Sequence, residues 1–102
     1  MPQGPIPVSQ VPRIGGNSTK LFIQNAPVLV KAAAGVIATV VVLAAGSATG
    51  TINDCTATAA AVTANEVAVI PQTVGPIVLN FPCTTGICVS PGTGQQVSVS
   101  YD

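Results

Sequence analysis

The residues of this chain with the chemistry to react, to hold a metal or to cross-link are Cys55, Cys83, Cys88, Asp54 and Glu66. General acid–base work near neutral pH draws on His or on paired carboxylates. His is absent, and the two interior acids stand twelve positions apart. Zinc needs four ligands, and Cys83-Thr84-Thr85-Gly86-Ile87-Cys88 with one remote Cys is a poor set. A nucleophilic thiol needs a base or cation beside it, and none accompanies these. Asp54 and Glu66 flank an Ala/Thr-rich segment. A Ca²⁺ site gathers more oxygens than two such acids offer, so both read as solvated surface charge. Gly92-Thr93-Gly94 has neither the following helix nor the Lys of a phosphate loop and reads as a hairpin turn. The expectation is therefore no enzyme, no catalytic residue, no metal and no cofactor.

Cross-linking is the chemistry that remains. Four residues around a glycine can bring Cys83 and Cys88 together across a turn, which makes them a candidate disulfide. So short a loop gains little chain entropy, and the bond would act by stiffening the turn. Cys55 is then left over as a candidate intermolecular thiol. The alternative is three free thiols packed as small hydrophobes, as expected for a chain folded in a reducing cytosol.

The elements that must position these groups follow from the rest of the 102 residues. Only six are charged, and 48% are apolar. Ordinary soluble domains carry roughly 25% charged residues. The basic residues Arg13, Lys20 and Lys31 precede the acidic Asp54, Glu66 and Asp102, so the halves differ in sign. Three basic and three aromatic residues (Phe22, Phe81, Tyr101) do not make a nucleic-acid surface. The length suits one small domain.

Residues 32–50 carry no charge over nineteen positions, enough to raise the question of a membrane helix. Their centre, Val36 to Leu43, is mostly β-branched, lies between Gly35 and Gly46, and has no aromatic belt. A strand buried on both faces fits better, and a small membrane protein spanning 32–50 is the weaker alternative. Further strands are expected at 20–24, 27–31, 51–54, 66–70, 76–81, 86–90 and 95–101. The last alternates cleanly, with Val97, Val99 and Tyr101 on one face. Residues 56–65 suit a short helix, a strand or a loop equally. Eight short strands predict an all-β, antiparallel β-sandwich or jelly-roll-like domain over 20–102.

Residues 1–19 differ in composition, with four prolines and three glycines. Prolines deny helix and central strand and favour extended backbone. Ile6, Val8, Val11 and Ile14 give this segment apolar teeth and Arg13 a charge. It reads as an extended assembly arm that lies along a neighbouring subunit, with a floppy tail as the alternative.

The order V-K-A-A-A-G-V-I-A-T-V-V-V, A-G-S-A-T-G-T-I-N-D, V-A-V-I-P, G-P-I-V-L-N-F-P and T-T-G-I-C-V-S-P-G-T-G-Q-Q-V-S-V-S-Y resembles small β-sandwich structural proteins of tailed bacteriophages, often capsid decoration or cement proteins. The resemblance covers about 28–102 and contains no catalytic signature. It implies a virion protein on the capsid exterior, made in the host cytoplasm and binding across subunit junctions of the major capsid protein. It also implies a homo-oligomer, a trimer favoured, with neither nucleic acid nor membrane as partner. Cys83 and Cys88 depart from the pattern and would be an added cross-link. A tail, neck or fibre protein is the alternative within the virion.

Overall fold

The computed structural model describes residues 15–102. Eight strands form: β1 (Ser18–Gln24), β2 (Val28–Lys31), β3 (Gly35–Ala44), β4 (Gly50–Asn53), β5 (Glu66–Ile70), β6 (Gly75–Cys83), β7 (Ile87–Ser90) and β8 (Gln96–Tyr101). They assemble into two four-stranded sheets, a first with order β1-β8-β3-β6 and a second with order β2-β7-β4-β5. All pairings are antiparallel. The first four strands pair with the last four in reverse order, β1 with β8, β2 with β7, β3 with β6 and β4 with β5, and successive pairs alternate between sheets. This is jelly-roll topology, a long hairpin rolled into a sandwich. The sequence expectation of an all-β antiparallel sandwich holds.

The strand expected over the charge-free stretch is β3, and 32–50 is therefore no membrane helix. Among the described residues no helix is long and apolar enough to cross a membrane. β3 is not buried on both faces, however. Ile37, Val40 and Val42 enter the core, while Thr39 and Val41 are half-buried and Leu43 is exposed. Ile37 and Val40 are an odd number of residues apart and cannot share a face of a regular strand. The register shift at Ala38 resolves this. On β6 the extra residue is Asn80, which takes the left-handed φ of 48° that Asn tolerates better than most residues.

Between the sheets lies an aliphatic core of Ile23, Ile37, Val40, Val42, Ile52, Ile70, Ile87, Val89, Val97 and Val99, with Cys83 at its rim and Tyr101 packed against it. Fully burying each such side chain is worth about 1.5–3 kcal/mol. β-branched residues supply most of it because they fit a pleated surface. The ambiguous segment 56–65 forms two short 3-10 turns, Thr58–Ala60 and Thr63–Asn65. Gly92-Thr93-Gly94 is not a hairpin turn: β7 belongs to the second sheet and β8 to the first, so this loop crosses between layers. Among sequential strands only β4 and β5 pair.

Candidate functional site

The connections cluster at the two ends of the sandwich. One end gathers the 54–65 connection, the 84–86 turn and the C-terminus. Asp54 is its centre, and the solvated-charge expectation for this residue is overturned. Its Oδ2 accepts from the Thr84 N–H (2.9 Å) and the Thr84 hydroxyl (2.9 Å). Its Oδ1 accepts from the Thr85 N–H (2.8 Å) and the Gly86 N–H (3.1 Å). Successive N–H groups of one turn converge on one carboxylate, an anion nest filled from within the chain. The Thr84 N–H above all holds the Asp54 carboxyl down at about 2, partial burial opposes it, and the Thr85 and Gly86 N–H groups add to the lowering. Glu66 stays exposed at the start of β5.

The turn is closed sterically as well. A Cβ on Gly86 would collide with the carbonyl oxygen of Cys55. The Asp54 N–H donates to the Asn65 carbonyl (2.8 Å), and the Asn65 amide donates to the Ala60 carbonyl (2.8 Å). These bonds fix the 54–65 connection at both of its ends.

The thiols surround this turn, and all three are free and buried. The expected Cys83–Cys88 disulfide is not formed, and the reason is the layer change. Cys83 ends β6 in the first sheet and faces the core. Cys88 lies in β7 of the second sheet between the core residues Ile87 and Val89, so strand alternation turns it to that sheet's outer face. There it meets Cys55 rather than Cys83. Cys55 is 4% exposed and its thiol donates to the Ala57 carbonyl (3.3 Å), so the folded chain does not present it at its surface. Burial, reinforced by the Asp54 charge and by Cys55, pushes the Cys83 thiol up to about 11. Burial and Cys55 push Cys88 upward as well. Cys83 and Cys88 are thus neutral near pH 7, poor nucleophiles and poor metal ligands. Among the described residues no group of three or more His, Cys, Asp or Glu is placed to hold a metal ion.

The opposite end centres on Gln95, which the sequence reading did not single out. Gln95 is completely buried. Its Oε1 accepts from the Gly92 N–H (3.1 Å), and its Nε2 donates to the Pro71 carbonyl (3.0 Å). It joins the β7–β8 crossing to the β5–β6 connection. Gly92 packs so closely that a Cβ there would collide with the Ala48 carbonyl oxygen. The Ser47 N–H donates to the Thr93 carbonyl (2.8 Å), which ties in the β3–β4 connection.

Both ends are occupied by their own side chains; among the described residues the first sheet displays Leu21, Phe22, Leu43, Val78 and Phe81, while Val69 of β5 and the loop residues Val62 and Val74 are exposed as well. On β1 a register shift between Lys20 and Ile23 pushes Leu21 and Phe22 outward, 68% and 54% exposed. Phe22 sits at φ 52°, a left-handed conformation that costs a non-glycine residue roughly 1–2 kcal/mol. Its N–H is satisfied by the Ser98 hydroxyl at 3.2 Å. At the other edge Val78 is 69% exposed. The expected arm residues Ile6, Val8, Val11, Arg13 and Ile14 lie outside the described residues. Comparisons with protein-family models, with curated proteins and with solved structures find no match to this chain.

Proposed function

We propose that this protein is a virion structural protein, a capsid decoration or cement component that stabilises a shell by binding across subunit junctions. The observation that carries the reading is the set of large apolar side chains held out from both edges of the first sheet. Leu21 and Phe22 are displayed at one edge by a strained bulge, and Val78 at the other. Strain of this kind persists where a site needs it. A chain with six charges has little means to keep such a surface dispersed, and burial among protein copies removes the problem. Jelly rolls are a common architecture of viral capsid domains, which agrees with the resemblance of residues 28–102 to phage virion proteins. Because fold does not dictate function, the surface carries the argument and the fold only accompanies it.

In this reading the partners are copies of itself, in a trimer, and the major capsid protein, with neither nucleic acid nor membrane. The location is the capsid exterior, after synthesis in the host cytoplasm. Many weak contacts repeated over a lattice add up by multivalency, so no single contact needs high affinity. The test is quantitative mass spectrometry of purified particles of the virus that encodes it. Copies in the hundreds support a shell component, about a dozen would point to the neck or tail, and absence from particles overturns the proposal.

A further inference from the structure

The register lays out the outer face of the first sheet residue by residue. Val41 of β3 stands between Pro76 of β6 and Ser98 of β8, and Thr39 between Val78 and Ser100. Leu43, 46% exposed, continues the row of Val41. The β3–β6 half of the face is therefore mostly apolar, with Thr39 and Asn80 as its polar members, and the β8 half is lined with hydroxyls. β3, β6 and β8 contain no Asp, Glu, Lys or Arg at all. β6 is an edge strand, and Pro76 and Pro82 remove two of its N–H groups. Prolines on an edge hinder another strand from extending the sheet, so a partner engages this face through side chains.

We infer that this face binds the N-terminal segment 1–14 of a second copy of the chain, with Ile6 and Val8 against Leu43, Val41, Pro76 and Val78. The inference rests on the assembly reading above and names the contact that builds the oligomer. Three observations choose this occupant.

The first is charge. Residues 1–12 have no charged side chain, so neither surface gives up the hydration of a charge on contact.

The second is the point of departure. The Asn17 N–H donates to the Tyr101 carbonyl (2.9 Å), and Gly16 lies against the Tyr101 backbone with no room for a Cβ. The segment therefore leaves from β1, the edge opposite β6.

The third is length. From β1 to β6 is three strand spacings, about 14 Å at ~4.8 Å each. A chain spans at most ~3.3–3.6 Å per residue, so the seven residues from Gly15 back to Val8 can bridge about 24 Å, more than the width of the sheet. Ile6 and Val8 are therefore within reach of a sheet beyond their own. Donation from copy to copy in one direction is a head-to-tail contact, which closes into a ring when the rotation fits.

The test uses the full chain with Val78→p-benzoylphenylalanine, mixing equal amounts of ¹⁵N-labelled and unlabelled copies before illumination. Cross-linked peptides that join position 78 of one isotope to residues 5–12 of the other are expected. Cross-links to 5–12 confined to a single isotope would place the segment on its own sheet and overturn the inference, as would cross-links that avoid 1–14. Val78→Glu is the second variant. It is expected to keep the folded β-sheet circular dichroism spectrum, because the side chain is exposed in the single chain, and to raise the oligomer dissociation constant at least tenfold. An unchanged mass by sedimentation across the concentration range would also overturn the inference. Both measurements use purified chain alone, so their failure is distinct from absence of the protein from virus particles.

Discussion

The two ends of the sandwich solve one problem with different chemistry. Each must tie a turn that changes sheets to a neighbouring connection. At one end the tie is Asp54, an only partly buried carboxylate that takes four donors from the 84–86 turn. At the other it is Gln95, a fully buried amide that takes one N–H and gives one N–H. Near solvent an anion can be kept charged and can collect several backbone donors at once. In a sealed site the same charge would cost far more than a neutral group. An amide also serves where one loop offers a donor and the other an acceptor, because it carries both functions. The lesson is that solvent access selects the residue type for the same mechanical task.

Breaking the sterics of each end should give the largest effects. Gly92→Ala and Gly86→Ala each drive a methyl into a backbone carbonyl, of Ala48 and Cys55 respectively. Overpacking of this kind costs about 1–3 kcal/mol or more. Urea unfolding should show both midpoints reduced, with Gly92→Ala at the upper end of the range because its methyl would overlap the Ala48 carbonyl more deeply than that of Gly86→Ala overlaps the Cys55 carbonyl.

Gln95→Leu should come next, at about 2–3 kcal/mol, because it strands the Gly92 N–H and the Pro71 carbonyl without water. A loss no larger than that of an exposed substitution would show that solvent reaches this end. Asp54→Asn should cost less, about 1–2 kcal/mol, since the site is partly hydrated and an amide still accepts some of the four bonds.

The ends should separate most clearly in acid. The folded-state carboxyl of Asp54 lies near 2, below its ordinary value of 3.8. A depressed pKa means that the unfolded chain binds the proton first. The stabilisation is complete above pH ~4 and is lost as pH falls through ~2. Wild-type stability should therefore decline between pH 4 and 2. The Asp54→Asn variant should show a flatter profile, while Gln95→Leu should keep the wild-type slope. An Asp54→Asn profile parallel to wild type would remove Asp54 from this role.

The smallest effect concerns the thiols. Migration with and without reductant should be identical, and a thiol reagent should modify three cysteines only after unfolding. A bridged species would contradict the layer separation of Cys83 and Cys88.

Much of this fold was legible in the chain. β-branched runs between glycines and prolines located all eight strands, and β5 falls at its expected limits. Burial of β3 on both faces was misjudged because an outward Val41 or Leu43 looks in sequence like an inward one. The disulfide was misjudged for a related reason. Five residues of separation describe a turn but do not say whether the turn stays in one sheet or crosses to the other. Asp54 gave one signal that a reader could use, an acid just after a strand with Thr-Thr-Gly elsewhere ready to donate. Gln95 gave none, because nothing local shows that a Gln next to a Gly-rich loop will be sealed.

The sequence by itself determined composition and strand content. So few charges, so many β-branched residues and such regular turn residues leave an all-β domain as the consistent solution, because propensity and periodicity act locally. Only the tertiary structure decided which strands became neighbours, that Cys88 meets Cys55, and that Asp54 and Gln95 each bind a turn far away in the chain. Those outcomes depend on rolling the first half of the chain against the second. The free energy of that step comes from burying faces that no short stretch of sequence can pair with each other.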